Sequence, residues 1–210
     1  TIPSDRGYFL ETTYRMSPPL TKKVSDLQYL GKLTHSETVE NRNLENSEPG
    51  LFAVQVEHSN NTTSSEEEAL EVVKLVEKEF GKLWVPGGDK PSKTIDQDDF
   101  IVVTPFNDQV RLIAKALKKA GYDKIRVGTV DKFQGQEAPI AIVSMATSSS
   151  DELPRGIDFV LNPNRLNVSI SRGQWGAYVV HSPQLTKVQP SSIEGMFQLG
   201  GFLQLISEGQ

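Results

Sequence analysis

The 210 residues are enough for one domain, or one domain with a substantial insertion, and enough to bury a sizeable core. Hydrophobic residues at 37% and charged residues at 23% describe an ordinary globular chain. No apolar run approaches the roughly 20 residues that cross a bilayer, and no signal-peptide pattern opens the chain. The absence of cysteine excludes disulfides and thiolate metal sites and fits a cytoplasmic location. A net charge of −5 argues against a strongly basic nucleic-acid clamp but leaves room for a local basic groove. The opening Thr1-Ile2-Pro3-Ser4 carries no initiator methionine, so a fragment of a longer protein is expected, with residues 1–210 forming a single domain.

Residues 8–16 read as a short strand running into a loop. Pro18-Pro19 then opens a helix to about Leu30, with Leu20, Val24, Leu27 and Leu30 on one face and Gly31 as its stop. Residues 32–50 are polar and unpatterned and read as an irregular connection, followed by a strand over 51–56. Ser64 or Ser65 with Glu67 or Glu68 makes a capping box for a helix that turns Ala69, Val72, Val73, Val76 and Phe80 inward. Residues 86–99 form a second irregular connection, rich in Pro, Gly and Asp. Gly87-Gly88-Asp89-Lys90-Pro91-Ser92-Lys93 within it lacks the spacing of a phosphate loop and reads as a surface turn. A buried strand covers 100–105. Asn107 or Asp108 caps a helix with Val110, Ile113, Ala114 and Leu117 inward, ended by Gly121. Strands over 125–127, 140–145 and 177–180 follow, with a flexible loop at 148–152, a helix from Leu166 to Arg172, and an amphipathic helix from about Ser192 to Ser207.

Apolar strands of five to seven residues alternating with helices predict a mainly parallel sheet covered on both faces, an α/β sandwich. In such sheets ligands bind outside the carboxyl ends of the strands. Thr104-Pro105, Thr129, Thr147 and His181-Ser182 all follow strand ends, as does Arg15, so the polar residues are expected on one edge.

Two stretches carry most of the chemistry. In Thr129-Val130-Asp131-Lys132-Phe133-Gln134-Gly135-Gln136-Glu137, a polar cluster precedes the apolar run 140–145 and is expected to touch a ligand. Asn164-Arg165-Leu166-Asn167-Val168-Ser169-Ile170-Ser171-Arg172-Gly173 ends on an arginine just before a strand. Arg15 and Arg172 carry guanidinium groups suited to bidentate capture of phosphate; pairing with a carboxylate is the alternative. Glu137 is either an acceptor for a ribose hydroxyl or a solvated turn residue. Gly135 allows close backbone approach or a positive φ, and Gln134 can donate and accept together. Thr104, Pro105, Asn107 and Thr129 offer hydroxyl, amide and turn groups of the kind that hold a nucleic-acid backbone, with helix capping the alternative for Asn107. His35, His58 and His181 are too scattered for a metal site. Trp84 and Trp175 are either stacking platforms or packing.

Taken in order, these residues resemble the motifs of superfamily 1 helicases of the Upf-type branch. Thr13-Tyr14-Arg15-Met16 resembles motif IV, Thr104-Pro105-Phe106-Asn107-Asp108-Gln109 the segment after it, 129–137 motif V and 164–173 motif VI, with Gly173 where an alanine is usual. The resemblance implies the second RecA-like domain of such an enzyme, a three-layer α/β/α sandwich of the P-loop NTPase fold lacking its own P-loop. It implies that Arg15 and Arg172 reach the γ-phosphate of ATP, that Gly135 and Glu137 meet phosphate and ribose, and that Thr104, Pro105, Asn107 and Thr129 grip single-stranded DNA or RNA. Gln134 would couple the two sites. The P-loop lysine and the Asp-Glu pair that holds Mg²⁺ are expected on an upstream RecA-like domain of the same protein. The chain alone is then expected to be inactive. The rival expectation is a helicase-like nucleic-acid or protein binding module without catalysis.

Overall fold

The computed structural model describes residues 9–148, 153, 156–190 and 192–207. Strand β1 (Thr12–Thr13) leads to α1 (Pro18–Gln28) and β2 (Thr34–His35). Then come β3 (Asn43–Leu44), β4 (Gly50–Gln55), α2 (Glu66–Glu79), β5 (Leu83–Val85) and β6 (Lys93–Thr94). The second half holds β7 (Phe100–Val103), α3 (Asn107–Lys119), β8 (Arg126–Gly128) and β9 (Ala138–Ser144). It ends with α4 (Gly156–Val160), α5 (Pro163–Ile170), β10 (Gly173–His181) and α6 (Ile193–Ile206).

Five strands make the main sheet in the order β4-β10-β9-β7-β8, and every neighbouring pair is parallel. Alternate residues of each strand face opposite layers. Ile140, Ile142, Tyr178 and Val180 pack with Ala69, Val72 and Val76 of α2 and Ile113 and Leu117 of α3. Ala141, Val143, Ala177 and Val179 face Leu20 and Val24 of α1, Val160 of α4, Leu166 and Ile170 of α5 and Phe202 of α6. All seven residues of β9 are buried, as a central strand covered on both faces requires. The result is the mainly parallel α/β/α sandwich that the alternation of elements predicts.

Several local expectations need correction. Leu30 lies beyond the end of α1 with φ +54° and is 85% exposed, so of the four expected residues Leu20, Val24 and Leu27 turn inward, and Thr21 and Ser25 are buried with them. Phe80 caps α2 and packs on Tyr122 at the surface. Ala114 is exposed, and Gln109 is buried on that helix beside Ile113 and Leu117, its amide bound to Ser65 and Ser144. Ser65 Oγ accepts from Glu68 N–H, but the Glu68 side chain does not return the bond. It is buried in a network with His58, Ser144 Oγ and Ala146 N–H that ties α2 to the end of β9. Asn107 is the first residue of α3; Phe106 holds the cap position, with no side-chain bond.

Residues 32–50 and 86–99 are more regular than their composition suggests. β2 pairs in parallel with β1, and β3, β5 and β6 build a small antiparallel sheet. Tyr8 and residues 149–152 lie outside the described residues, so the expectations for them stand as made. Trp84 and Trp175 are 2% and 1% exposed and serve the core rather than stacking on a ligand. On α6, Phe202 and Leu205 are buried while Ile193, Met196 and Phe197 face outward, so the helix is less one-sided than expected. Among the described residues no helix is long and apolar enough to cross a membrane.

Candidate functional site

The polar residues divide between the two edges of the sheet, where the sequence suggested one. Thr104 and Pro105 follow β7 and Thr129 follows β8, at the carboxyl edge. Glu137 precedes β9 and Arg172 precedes β10, at the amino edge. Both strands are parallel, so residues before them share an edge. With about 3.3 Å per residue, seven-residue β9 separates the edges by roughly 20 Å. The segment 129–137 runs from one edge to the other with only a 3₁₀ turn, Val130–Phe133, along the way.

At the amino edge three of the expected residues come together. Arg15 Nε donates to Glu137 Oε2 at 2.6 Å, and Arg15 Nη1 donates to the Ser171 carbonyl at 3.2 Å. Gln174 Nε2 donates to the other Glu137 oxygen at 2.8 Å. Arg172 turns back onto its own helix end, where Nε donates to the Val168 carbonyl at 2.9 Å and Nη1 to the Gln136 carbonyl at 3.1 Å. A cation at the last turn of a helix is stabilised by the carbonyls exposed there. Arg15 is thus both a carboxylate partner and a neighbour of Arg172.

The electrostatics follow from this crowding. Burial pushes the Glu137 carboxyl up, but the hydrogen bonds from Arg15 and Gln174 and the charges of Arg15 and Arg42 outweigh it and hold the group below the usual carboxylate range. Burial lowers the Arg172 pKa from its ordinary value; the nearby positive charge of Arg15 adds to this and Glu137 opposes it. An anion arriving here would relieve the repulsion between the two guanidinium groups.

The turn residues behave differently. Gln134 is exposed and ends the 3₁₀ turn. Gly135 has φ +79°, and a Cβ there would meet nothing within 4 Å, so backbone conformation rather than close approach within the chain requires glycine.

At the carboxyl edge Thr104 is 1% exposed, and its Oγ1 has no hydrogen-bond partner among the described residues. Thr104, Pro105, Val130, Arg165 and Ser169 line a narrow depression of about 20 Å³. Thr129 is half-buried and Asn107 is exposed at the first turn of α3, so Asn107 is available as an amide rather than used as a cap.

Sequence reasoning missed four residues here. Arg165 lies 4.4 Å from the Phe159 ring centroid and 3.6 Å from the Asp131 carboxylate, at the carboxyl edge. Tyr14, 69% exposed, stands next to Arg15, and Gln174 completes the coordination of Glu137. Arg42 is buried beside the amino edge. Arg165 and Tyr14 fall inside the motif stretches and could have been found there; Arg42 comes from an unpatterned stretch and carries no such signal.

His58 is buried against Glu68, and His181 is buried beside Phe202. Among the described residues no group of three or more His, Asp or Glu is placed to hold a metal ion.

A family model described as an AAA domain matches residues 4–184. The chain is 29% identical over 202 residues to the Regulator of nonsense transcripts 1 homolog of Drosophila melanogaster, covering 88% of this chain and 16% of that protein. It is 29% identical over 194 residues to the ATP-dependent helicase NAM7 of Saccharomyces cerevisiae, covering 83% and 18%. The Regulator of nonsense transcripts 1 homolog of Arabidopsis thaliana is 30% identical over 200 residues, covering 86% and 15%. The chain therefore spans less than a fifth of the length of these relatives. Among solved structures, the C-terminal domain of a possible DNA helicase from Lactobacillus plantarum aligns with TM-score 0.46 and 14% identity, over 84% of this chain and 94% of that one.

Proposed function

Because this chain belongs to the AAA domain family, as the C-terminal RecA-like domain of a Upf-type superfamily 1 helicase, we propose that it forms half of an ATP-driven motor on single-stranded nucleic acid. Arg15 and Arg172 face the γ-phosphate of ATP held on an upstream domain, and Glu137 accepts from the ribose. Gly135 lets the turn beside them form. Thr104, Pro105, Asn107 and Thr129 hold the backbone of one strand of RNA or DNA at the opposite edge, and Gln134 lies on the segment that joins the two. What supports the reading is this division: Arg15, Arg172 and Glu137 at one edge, Thr104, Pro105, Asn107 and Thr129 at the other, and one continuous segment, 129–137, touching both.

The chain supplies charge and position rather than covalent chemistry. Arginine stays protonated at any working pH even when burial lowers its pKa, so Arg15 and Arg172 present fixed positive charge where phosphoryl transfer develops negative charge. Glu137 neutralises part of it and orients Arg15 through the 2.6 Å bond. The Mg²⁺ that ATP brings would be held on the upstream domain, where the resemblance puts the Asp-Glu pair.

A second reading rests on a specific observation. Arg172 already binds two backbone carbonyls and Arg15 already binds Glu137, which is also what a binding module with no catalysis would keep. ATPase assays separate the two readings, comparing this chain alone with the protein that also carries the upstream domain, each with and without single-stranded RNA or DNA. The motor reading expects turnover only in the longer protein, stimulated by one polymer, and a loss of about 10³–10⁵-fold in Arg172→Ala. Robust turnover by this chain alone, abolished in Arg172→Ala, overturns the half-site. Near-normal turnover in the longer Arg172→Ala protein removes the finger role. No turnover with the upstream domain folded leaves the binding module.

A further inference from the structure

Arg42 lies in the polar stretch between β2 and β3, outside every motif, yet it is nine-tenths buried at 9% exposure. Its Nε donates to the Pro86 carbonyl at 2.9 Å and its Nη2 to the Tyr14 carbonyl at 3.3 Å. Its Nη1 is buried with no partner among the described residues. A desolvated guanidinium is costly unless its donors are used, and here two of its three nitrogens are used on backbone carbonyls of distant segments. Burial lowers its pKa, and the Glu137 carboxylate opposes that shift. Arg42 and Glu137 therefore bear on each other's charge.

The two carbonyls it binds belong to different parts of the fold. Tyr14 directly precedes Arg15, whereas Pro86 follows β5 of the small antiparallel sheet. Gly87, next in the chain, has φ +79°, and a Cβ there would meet the Thr38 carbonyl at 2.7 Å and Arg42 Cγ at 3.3 Å. Only glycine lets the 86–87 turn close over Arg42 in this way.

We propose that Arg42 is a positioning residue: it clamps the Tyr14–Arg15 backbone to the 86–87 turn and so sets the direction in which Arg15 leaves the chain toward Glu137. Lysine is no substitute, because an ammonium is a single point and cannot span two carbonyls while keeping a third donor in the same plane. The clamp also gives the small sheet β3-β5-β6 a role, as the wall against which the amino edge is braced. The placement of Arg15 holds whether or not ATP is the ligand; its consequence for turnover rests on the function proposed above.

The test therefore has two readouts. In ¹⁵N-labelled chain of all 210 residues, the Arg15 Nε–H resonance reports the bond to Glu137 directly. Arg42→Ala and Gly87→Ala should each shift or broaden it while the buried Trp175 indole signal stays in place, and Arg42→Lys should fail to restore it. An unmoved Arg15 resonance in Arg42→Ala, or full restoration in Arg42→Lys, overturns the proposal. In the protein with its upstream domain, Arg42→Ala should lower kcat for ATP roughly 10–100-fold, as a misplaced group does, with KM and single-strand affinity near wild type. The double variant Arg15→Ala/Arg42→Ala should be no slower than Arg15→Ala alone, because one residue acts through the other. Multiplying losses would overturn the clamp. A shifted Arg15 resonance in a protein whose wild type hydrolyses no ATP would instead uphold the clamp and remove the nucleotide reading.

Discussion

Thr104 Oγ1 is buried at the end of β7 without a partner among the described residues, and an unpaired buried hydroxyl costs about 1–3 kcal/mol. Folding would be served as well by valine, which has the same shape and no hydroxyl to desolvate. A backbone phosphate at the carboxyl edge would supply the missing acceptor. Thr104→Val is therefore expected to leave the melting temperature unchanged or raise it, while weakening single-strand binding by the longer protein. Thermal melting and a fluorescence titration with a labelled oligonucleotide check the two halves. A fall in stability without a change in affinity would mean that Thr104 has a structural partner after all. Arg172 shows the opposite balance. Its bonds to the Val168 and Gln136 carbonyls tie the end of α5 to the segment before β9, so part of any loss on its removal is structural, and this is why its test needs kinetics rather than stability.

At the scale of elements the segment 129–137 is the informative one. It joins two parallel strands and so must cross the whole depth of the sheet, which it does without a helix long enough to be stable by itself. Gly135 makes the last reversal at φ +79° in open space. Gly135→Ala should then cost only the backbone strain of a left-handed residue, about 1–2 kcal/mol, read as a lower urea midpoint with an unchanged m-value. A change in m-value would indicate instead that the edge has come apart. This segment was legible in the sequence because a polar cluster directly before an apolar strand has no use as packing. Its placement was not, since a list of strand ends says nothing about Glu137 and Arg172, which stand before their strands. Ala114 and Gln109 show a second limit. Periodicity alone turns alanine inward, and only the partners Ser65 and Ser144, brought close by the fold, make a buried amide possible. Arg42 lay beyond any pattern, because the carbonyls that hold it come from residues 14 and 86.

Taken as a whole, the molecule stands on two apolar layers, and the buried carboxylates among the described residues, Glu68, Glu79 and Asp99, each face a partner. Glu79 is the clearest case: fully buried, it accepts from Tyr178 O–H and Lys82 Nζ, both at 2.8 Å. Burial pushes its carboxyl up, but the bonds from Lys82 and Tyr178 and the charges of Lys82 and Lys78 hold it below its ordinary 4.5. Glu137 and Glu67 are likewise lowered. A carboxylate whose folded pKa is depressed adds stability above its unfolded pKa and loses it as pH falls through the folded value. The carboxylate contribution to unfolding free energy should therefore be flat above pH 4.5 and fall steadily below it, on top of a fall that begins near 6.5, where burial keeps His181 from binding the proton it takes up in the unfolded chain. Tyr178 has the reverse sign. Burial and the bond to Glu79 raise its pKa, so its contribution is complete below its ordinary value of 10.0 and is lost as pH rises through the higher folded value. Urea unfolding at a series of pH values checks both limbs, and Glu79→Gln isolates the pair. The amide can still accept from Tyr178 but has no charge for Lys82. It should lower stability at neutral pH by roughly 1–3 kcal/mol and make the acid limb shallower. An acid limb as steep as that of the wild type would show that Glu79 titrates alike in the folded and unfolded chain, and that its pairing with Lys82 does nothing for the fold.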